Sequence, residues 1–204
     1  MKKILVIVAI LVFSASQVYL LYANGKLKHE VALKDKVLGE QATKYSAVQP
    51  QFALGVQNTG RIISDVISVE DSLKNSHALR DVVKGINLVC RISDRCCAQC
   101  VEHAVSILTD NKSAFDFTKV LFLSDCNSPR VFKLQIREYS LEDCNMFNCG
   151  NLGLPIEEIM FPYFMVIDSS LTVRAVYAPS KSTHGTDFDF KNVKMMYDCL
   201  VAND

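Results

Sequence analysis

"LVCRISDRCCAQCVEHAVSIL", residues 88–108, decides how the whole chain is read. Its first half, with the two residues before it, gives "INLVCRIS" (86–93), a short apolar run without helical spacing, which predicts a buried strand. Its second half places Val101, Ala104, Val105 and Leu108 at i, i+3, i+4 and i+7, which predicts a helix. At the junction, Cys96, Cys97 and Cys100 make two overlapping spacings. Cys97-x-x-Cys100 is the spacing of a dithiol/disulfide exchanger, and Cys96-x-x-x-Cys100 is one that a copper clamp can use.

Outward from this stretch the elements follow a simple order. "KVLFLS" (119–124) reads as the next strand. Ser128 and Pro129 supply an N-cap and a first-turn proline, so a helix is expected from there to about Tyr139. A looser stretch with Cys144 and Cys149 leads to "FPYFMVIDSSLTVRAVYAP" (161–179), where strand-like runs at 163–168 and 171–178 flank Ser169-Ser170 at hairpin distance. "DFKNVKMMYDCLV" (189–201) carries Val193, Met196, Tyr197 and Leu200 on one helical face. The order is β-α-β-α-β-β-α: the helical crossover makes the first two strands parallel, and the hairpin makes the last two antiparallel. Upstream, "GRIISDVISV" (60–69) reads as short extended pieces, a hairpin decorating the main sheet.

This order, with a CxxC directly after the first strand and a proline directly before the hairpin, resembles the thioredoxin fold. "FPYFMVID" is similar to the proline–strand–aspartate segment of the membrane-anchored TlpA/ResA-type thiol–disulfide oxidoreductases. The resemblance covers about residues 60–204. It implies an α/β, thioredoxin-like domain with a central mixed sheet and flanking helices. It also implies a redox-active Cys97–Cys100 pair in which Cys97 attacks and Cys100 resolves, with no cofactor and no metal. Phe161 and Pro162 would bind substrate, with Pro162 in the cis form, and Pro155 is a weaker candidate for that place. The sequence departs from the family at two points: Cys96 stands where a tryptophan is usual, and Arg91 stands where thioredoxins carry a buried acid on the first strand.

Chemistry near neutrality would follow from Cys97 lying at a helix N-terminus, where free N–H groups and the dipole favour a thiolate. Arg91 and Arg95 would add to this if either points inward. Other readings remain open at this point. Cys96 and Cys100 resemble the clamp of Sco-type copper chaperones, but the region before the hairpin lacks a histidine and His184 falls after it. Cys97, Cys100, Cys144 and Cys149 satisfy the count of a structural zinc site. Ser93 and Cys96 fit a peroxiredoxin pattern minimally, and a non-catalytic thioredoxin-like binding module is the remaining alternative. Cys90 and Cys199 read as small buried hydrophobes, Cys144 and Cys149 as a candidate ancillary disulfide, and His103 as an exposed helix residue.

The bulk numbers bound the rest. The 204 residues have 22 basic and 22 acidic side chains, with no long basic block, which argues against a nucleic-acid partner. Eight cysteines, unevenly placed, point to local function rather than a stapled fold. Residues 4–23 carry no charge, and twenty residues of helix span about 30 Å, one hydrocarbon thickness. The chain is therefore expected to divide into a signal-anchor or transmembrane segment (1–25), with a signal peptide cleaved near Ser14 and Ser16 as the rival reading, a helical stalk and linker (26–50) and a thioredoxin-like domain (51–204). Leu27, Val31, Leu38 and Tyr45 lie near one face of the stalk, and Pro50 breaks it. Lys26, Lys28, Lys34 and Lys36 balance Lys2 and Lys3 across the span, so charge alone does not orient it. The signal-like start favours a single-pass membrane protein with its catalytic domain outside the cytoplasm, on the periplasmic side if bacterial. Its partners would be protein thiols or disulfides and an upstream thiol–disulfide electron donor or acceptor.

Overall fold

A computed structural model describes residues 24–28, 30–36, 38–39, 50–179 and 185–202. The chain separates into two compact units, 1–49 and 50–204. In the first, the described residues are helical, and Leu27, Val31 and Leu38 are exposed. The expected membrane span at 4–23 and Tyr45 of the stalk lie outside the described residues. No helix among the described residues is long and apolar enough to cross a membrane.

The second unit begins with helix α1 (residues 50–58), so Pro50 opens a helix, at a first-turn position where its missing N–H costs nothing. Two short strands follow, β1 (Ser68–Glu70) and β2 (Ser76–Ala78), then the one-turn helix α2 (Leu79–Val82). The expected core comes next: β3 (Asn87–Ser93), α3 (Ala98–Thr109), β4 (Val120–Asp125), α4 (Pro129–Glu138), β6 (Tyr163–Ile167), β7 (Val173–Tyr177) and α5 (Gly185–Val201). One strand in this series, β5 (Asn145–Asn148), was not expected. The seven strands form one mixed sheet in the order β2-β1-β5-β4-β3-β6-β7. β3, β4 and β5 run parallel, whereas β6 is antiparallel to β3 and β7 to β6.

Alternation along the strands divides the core between the two faces of the sheet. Leu88, Cys90 and Ile92 of β3 join Phe122, Phe164 and the apolar sides of α3, α4 and α5 on one face. Val89, with Leu121, Tyr163, Met165 and Ile167, faces a second cluster that includes Leu79 and Ile156. Because β3 is central and covered on both sides, six of its seven residues are buried, which is why it reads as a continuous apolar run. Ser128 caps α4 by accepting from Val131 N–H at 3.3 Å, with Pro129 in the first turn as expected.

The extended pieces at 60–69 serve both ends of the sheet. Ile62 bridges Thr172, while Val69 pairs with His77 in the β1–β2 hairpin. The β6–β7 turn is built on Asp168, whose carboxylate accepts from Ser170 N–H, Thr172 N–H and Arg174 Nε. Leu171 adopts φ 61° inside this turn, a strained choice for a leucine, and its complete burial offsets the cost. At the start of the unit, Gln51 pairs with both backbone groups of Ala178, and Asn58 accepts from Ile156 N–H.

Candidate functional site

β3 ends at Ser93, and the chain turns through residues 94–97 into α3. Cys97 is the N-cap of that helix, with extended backbone (φ −66°, ψ 136°), and its sulfur accepts from Cys100 N–H at 3.1 Å. Cys97 is exposed and Cys100 half-buried, one turn deeper. The two are joined in a disulfide with Sγ atoms 2.03 Å apart. The loop is pinned from both sides: Arg95 reaches Asp125 at 2.6 Å, and Asp94 accepts from the backbone and side chain of Asn127. Ser93 Oγ accepts from Arg95 N–H. The loop is thus tied to the end of β4, leaving the outer sulfur open to solvent.

The segment expected to bind substrate lies at the same edge of the sheet. Tyr163 pairs with Arg91 in antiparallel register, so Pro162 and Phe161 run on toward the C-terminal end of β3, from which the cysteine loop departs. Met160 and Phe161 are 60% and 54% exposed, and Pro162 is buried. Met160 holds φ 51°, and it lines an open pocket of about 560 Å³ together with Arg95, Gly153, Leu154 and Glu157. Arg95 belongs to the cysteine loop, so this pocket reaches that loop.

Comparison with known proteins bears on the fold. No sequence-family model matches the chain, and no curated protein matches it. Solved structures do. A candidate electron transfer protein from Aquifex aeolicus VF5 is 12% identical over 69% of this chain and 94% of its own, with a TM-score of 0.50. A hypothetical protein from Sinorhizobium meliloti 1021 is 11% identical over 72% of this chain and 86% of its own, also at 0.50. The thioredoxin domain of a thiol-disulfide oxidoreductase from Bacteroides vulgatus is 16% identical over 68% and 97%, at 0.47. A parallel β-α-β unit carries the CxxC at its helix start, and an antiparallel hairpin and a last helix close the sheet. The fold is thioredoxin-like.

Within this thioredoxin-like fold, several expectations are corrected. No peptide bond among the described residues is cis, so Pro162 follows Phe161 in trans, and so does Pro155 its neighbour. Cys144 and Cys149 are both free thiols. The strand between them turns them to opposite faces: Cys144 packs with the helical face of the sheet and Cys149 with the other. That separation also removes the four-thiolate zinc set. Among the described residues no group of three or more His, Cys, Asp or Glu is placed to hold a metal ion. His184 lies outside the described residues. Cys90 is buried as expected, but Cys199 is exposed. His103 is not an exposed helix residue; its side chain is 16% exposed and its Nε2 lies 2.7 Å from Asp189 Oδ2.

Arg91 points away from the cysteine helix. It shares a face with Val89, where Nε and Nη2 reach Glu157 Oε1 at 2.8 Å and Nη1 lies 3.1 Å from Cys149 Sγ. Both side chains of the ion pair are about 5% exposed. Glu157 is filled by Leu152 N–H and Tyr163 OH as well. Burial works against the charge on Arg91, but Cys149 and Glu157 hold it firmly protonated. The Cys149 thiol is pushed up by burial, which Arg91 only partly opposes. Cys96, packed against the helical face, is likewise raised by burial despite the pull of Ser93 N–H geometry and Arg95. Neither Cys149 nor Cys96 is therefore an activated thiolate. Sequence reasoning missed the Arg91–Glu157–Cys149 cluster because its members are 66 and 58 residues apart. The alternation of β3 alone shows that Arg91 and the cysteine-helix side of Cys90 and Ile92 differ in face.

Proposed function

We propose that the chain is a thiol–disulfide oxidoreductase that exchanges disulfides with protein partners through Cys97 and Cys100. The observation that carries this reading is an exposed cysteine at the N-cap of a helix, joined to a half-buried cysteine one turn on. In the dithiol form, the helix start stabilises the Cys97 thiolate through free N–H groups and the dipole. That thiolate attacks a substrate disulfide; the new S–S bond joins Cys97 to one substrate sulfur, and the other leaves as a thiol. Cys100 then attacks Cys97 Sγ, releasing the second substrate thiol and leaving the Cys97–Cys100 disulfide. Two electrons move from the chain to the substrate, and the reverse sequence oxidises a substrate dithiol. Met160 and Phe161, both exposed and apolar, would receive an extended substrate peptide, with Pro162 buried next to them in the chain. An upstream thiol–disulfide donor or acceptor resets the pair.

The uncharged run at 4–23 supports a membrane tether of the TlpA/ResA type, with the domain on the side of the membrane where disulfides persist. Impermeant maleimide added to intact cells would label reduced Cys97 if this holds, and would leave it unlabelled if the domain faces the cytoplasm.

The exchange reading is tested by turnover of a peptide disulfide with the full chain and Cys97→Ser or Cys100→Ser. Cys97→Ser should abolish turnover, and Cys100→Ser should stop at a trapped mixed disulfide on Cys97. Unchanged turnover in Cys97→Ser overturns the assignment.

A further inference from the structure

A resolving thiol has to lose its proton as it attacks, and the acid that the family resemblance leads one to seek on β3 is replaced by Arg91. Glu157, the acid beside Arg91, is committed to four donors on the opposite face of the sheet. The helix that carries Cys100 offers a different group. Besides cysteine, its titratable side chains are Glu102 and His103. Glu102 lies about 200° around the helix from Cys100 and is exposed, whereas His103 lies one turn on, along the same flank. Residues three apart on a helix have their Cβ atoms about 5–6 Å apart, and helical side chains lean toward the N-terminus, over the preceding turn.

His103 is also held in a defined state. Its Nε2 lies 2.7 Å from Oδ2 of Asp189 on α5, a residue only 2% exposed. The other carboxylate oxygen, Oδ1, accepts from Tyr177 OH on β7 at 2.5 Å, and Asn192 donates to Tyr177 Oη at 3.4 Å. A buried carboxylate accepts, so the neutral imidazole carries its proton on Nε2 and presents a bare Nδ1. Among the described residues Nδ1 has no hydrogen-bond partner. A base oriented by a carboxylate, one turn from a thiol that must be deprotonated, is the arrangement that nucleophile activation uses.

We propose that His103 is the base that takes the proton of Cys100 during resolution, with Asp189 and Tyr177 as positioning residues. The proposal rests on the exchange reading above. With Cys97 Sγ bonded to a substrate sulfur, the Cys100 proton passes to His103 Nδ1 and Cys100 Sγ attacks Cys97 Sγ. The Cys97–substrate bond breaks, the Cys97–Cys100 bond forms, and the departing substrate thiolate is protonated by the imidazolium or by water. In the oxidising direction the imidazolium returns the proton to Cys100 as it leaves. The titratable groups around the ring are Asp189 from α5, which touches it, Tyr177 from β7 through Asp189, and Cys100, which the helical repeat places on the same flank of α3. Glu102 and the Asp187–Lys191 pair lie on exposed surface.

The test separates the two chemical steps in the full chain. The reduced protein is mixed with a peptide disulfide and quenched with acid, and the Cys97–peptide and Cys97–Cys100 species are counted by mass. In the wild type, the second step should rise with pH to a plateau, as a single base loses its proton. In His103→Gln the second step should fall by about 10²-fold at pH 7 and lose that plateau, with the first step within about twofold of wild type. Asp189→Asn should fall between the two. A folded His103→Gln with an unchanged second step and pH profile overturns the proposal while leaving the exchange reading intact. Failure of the wild type to form Cys97–Cys100 from the peptide disulfide overturns both. A measurement without substitution guards against variants that do not fold: NMR titration of the His103 ring in the dithiol and disulfide forms. The midpoints should differ, because the Cys100 thiol is the partner of the ring in one form only; identical midpoints overturn the proposal.

Discussion

Replacing Glu157 by glutamine tests the buried polar cluster on the face away from the cysteine helix. The substitution keeps the shape of the side chain and removes its charge. Arg91 stays charged, with its side chain 4% exposed, and loses the carboxylate paired with it. Carbonyl oxygens of Cys149 and Gly150 remain as acceptors at 3.3 and 2.8 Å, but neither carries a charge. Breaking a buried pair in this way costs about 3–5 kcal/mol. In a unit of this size each kcal/mol moves the melting temperature by about 2–4 °C, so a fall of roughly 6–20 °C is expected. The glutamine also offers an N–H₂ group toward Leu152 N–H or the guanidinium, which adds to the loss rather than offsetting it. Urea unfolding of the full chain, followed by far-UV circular dichroism, gives the free energy. Arg91→Met and the double variant complete a thermodynamic cycle. The double variant should be more stable than the sum of the single losses implies, since removing both charges leaves no orphan charge. A Glu157→Gln loss below about 1 kcal/mol, or strict additivity in the cycle, would refute the claim that this pair is buried and coupled.

Three other expectations follow from individual contacts. Burial acts to raise the Asp168 carboxyl, but hydrogen bonds from Ser170, Thr172 and Arg174 hold it below its ordinary 3.8. The folded chain therefore binds that proton less readily than the unfolded one: the stabilisation is complete above pH 3.8 and lost as pH falls through the lower folded value. Asp168→Asn should thus unfold more easily than wild type at pH 7, and the gap should close on acidification; a gap that widens in acid contradicts the reading. Ser128→Ala should cost about 1 kcal/mol in urea unfolding through loss of the α4 cap, and a loss below about 0.3 kcal/mol contradicts the capping role. In native protein at neutral pH, Cys90 and Cys149 should resist maleimide until the chain unfolds, because burial raises both thiols; peptide mapping of modified Cys149 in folded protein contradicts that.

The parts of the fold that were legible in the sequence are those whose signal is local. β3 and β4 are covered on both faces and so are continuous apolar runs; α3 shows its buried stripe, and Ser128-Pro129 marks the start of α4. β5 escaped because four residues, Asn-Met-Phe-Asn, carry no strand pattern of their own and become a strand by pairing with β4 and β1. β2, Ser-His-Ala and wholly exposed, escaped for the same reason. At the candidate site, the place of Cys97 and Cys100 at the start of α3 was legible from their spacing and the helix that follows. The roles around them were not. Arg91 finds Glu157, and His103 finds Asp189, across 66 and 86 residues of chain, and no local pattern encodes either meeting. The cis form expected at Pro162 came from family likeness rather than from any residue that demands it, and the bond is trans.

The central claim is that Cys97 and Cys100 form a reversible dithiol/disulfide pair. The most direct measurement equilibrates the full chain across a glutathione redox series, alkylates the free thiols and maps every cysteine by mass. The account requires Cys97 and Cys100 to convert together, as one two-electron step with a single midpoint, while Cys90, Cys126, Cys144 and Cys149 stay reduced. Cys97 and Cys100 remaining independent thiols throughout, or pairing with other cysteines, would contradict it.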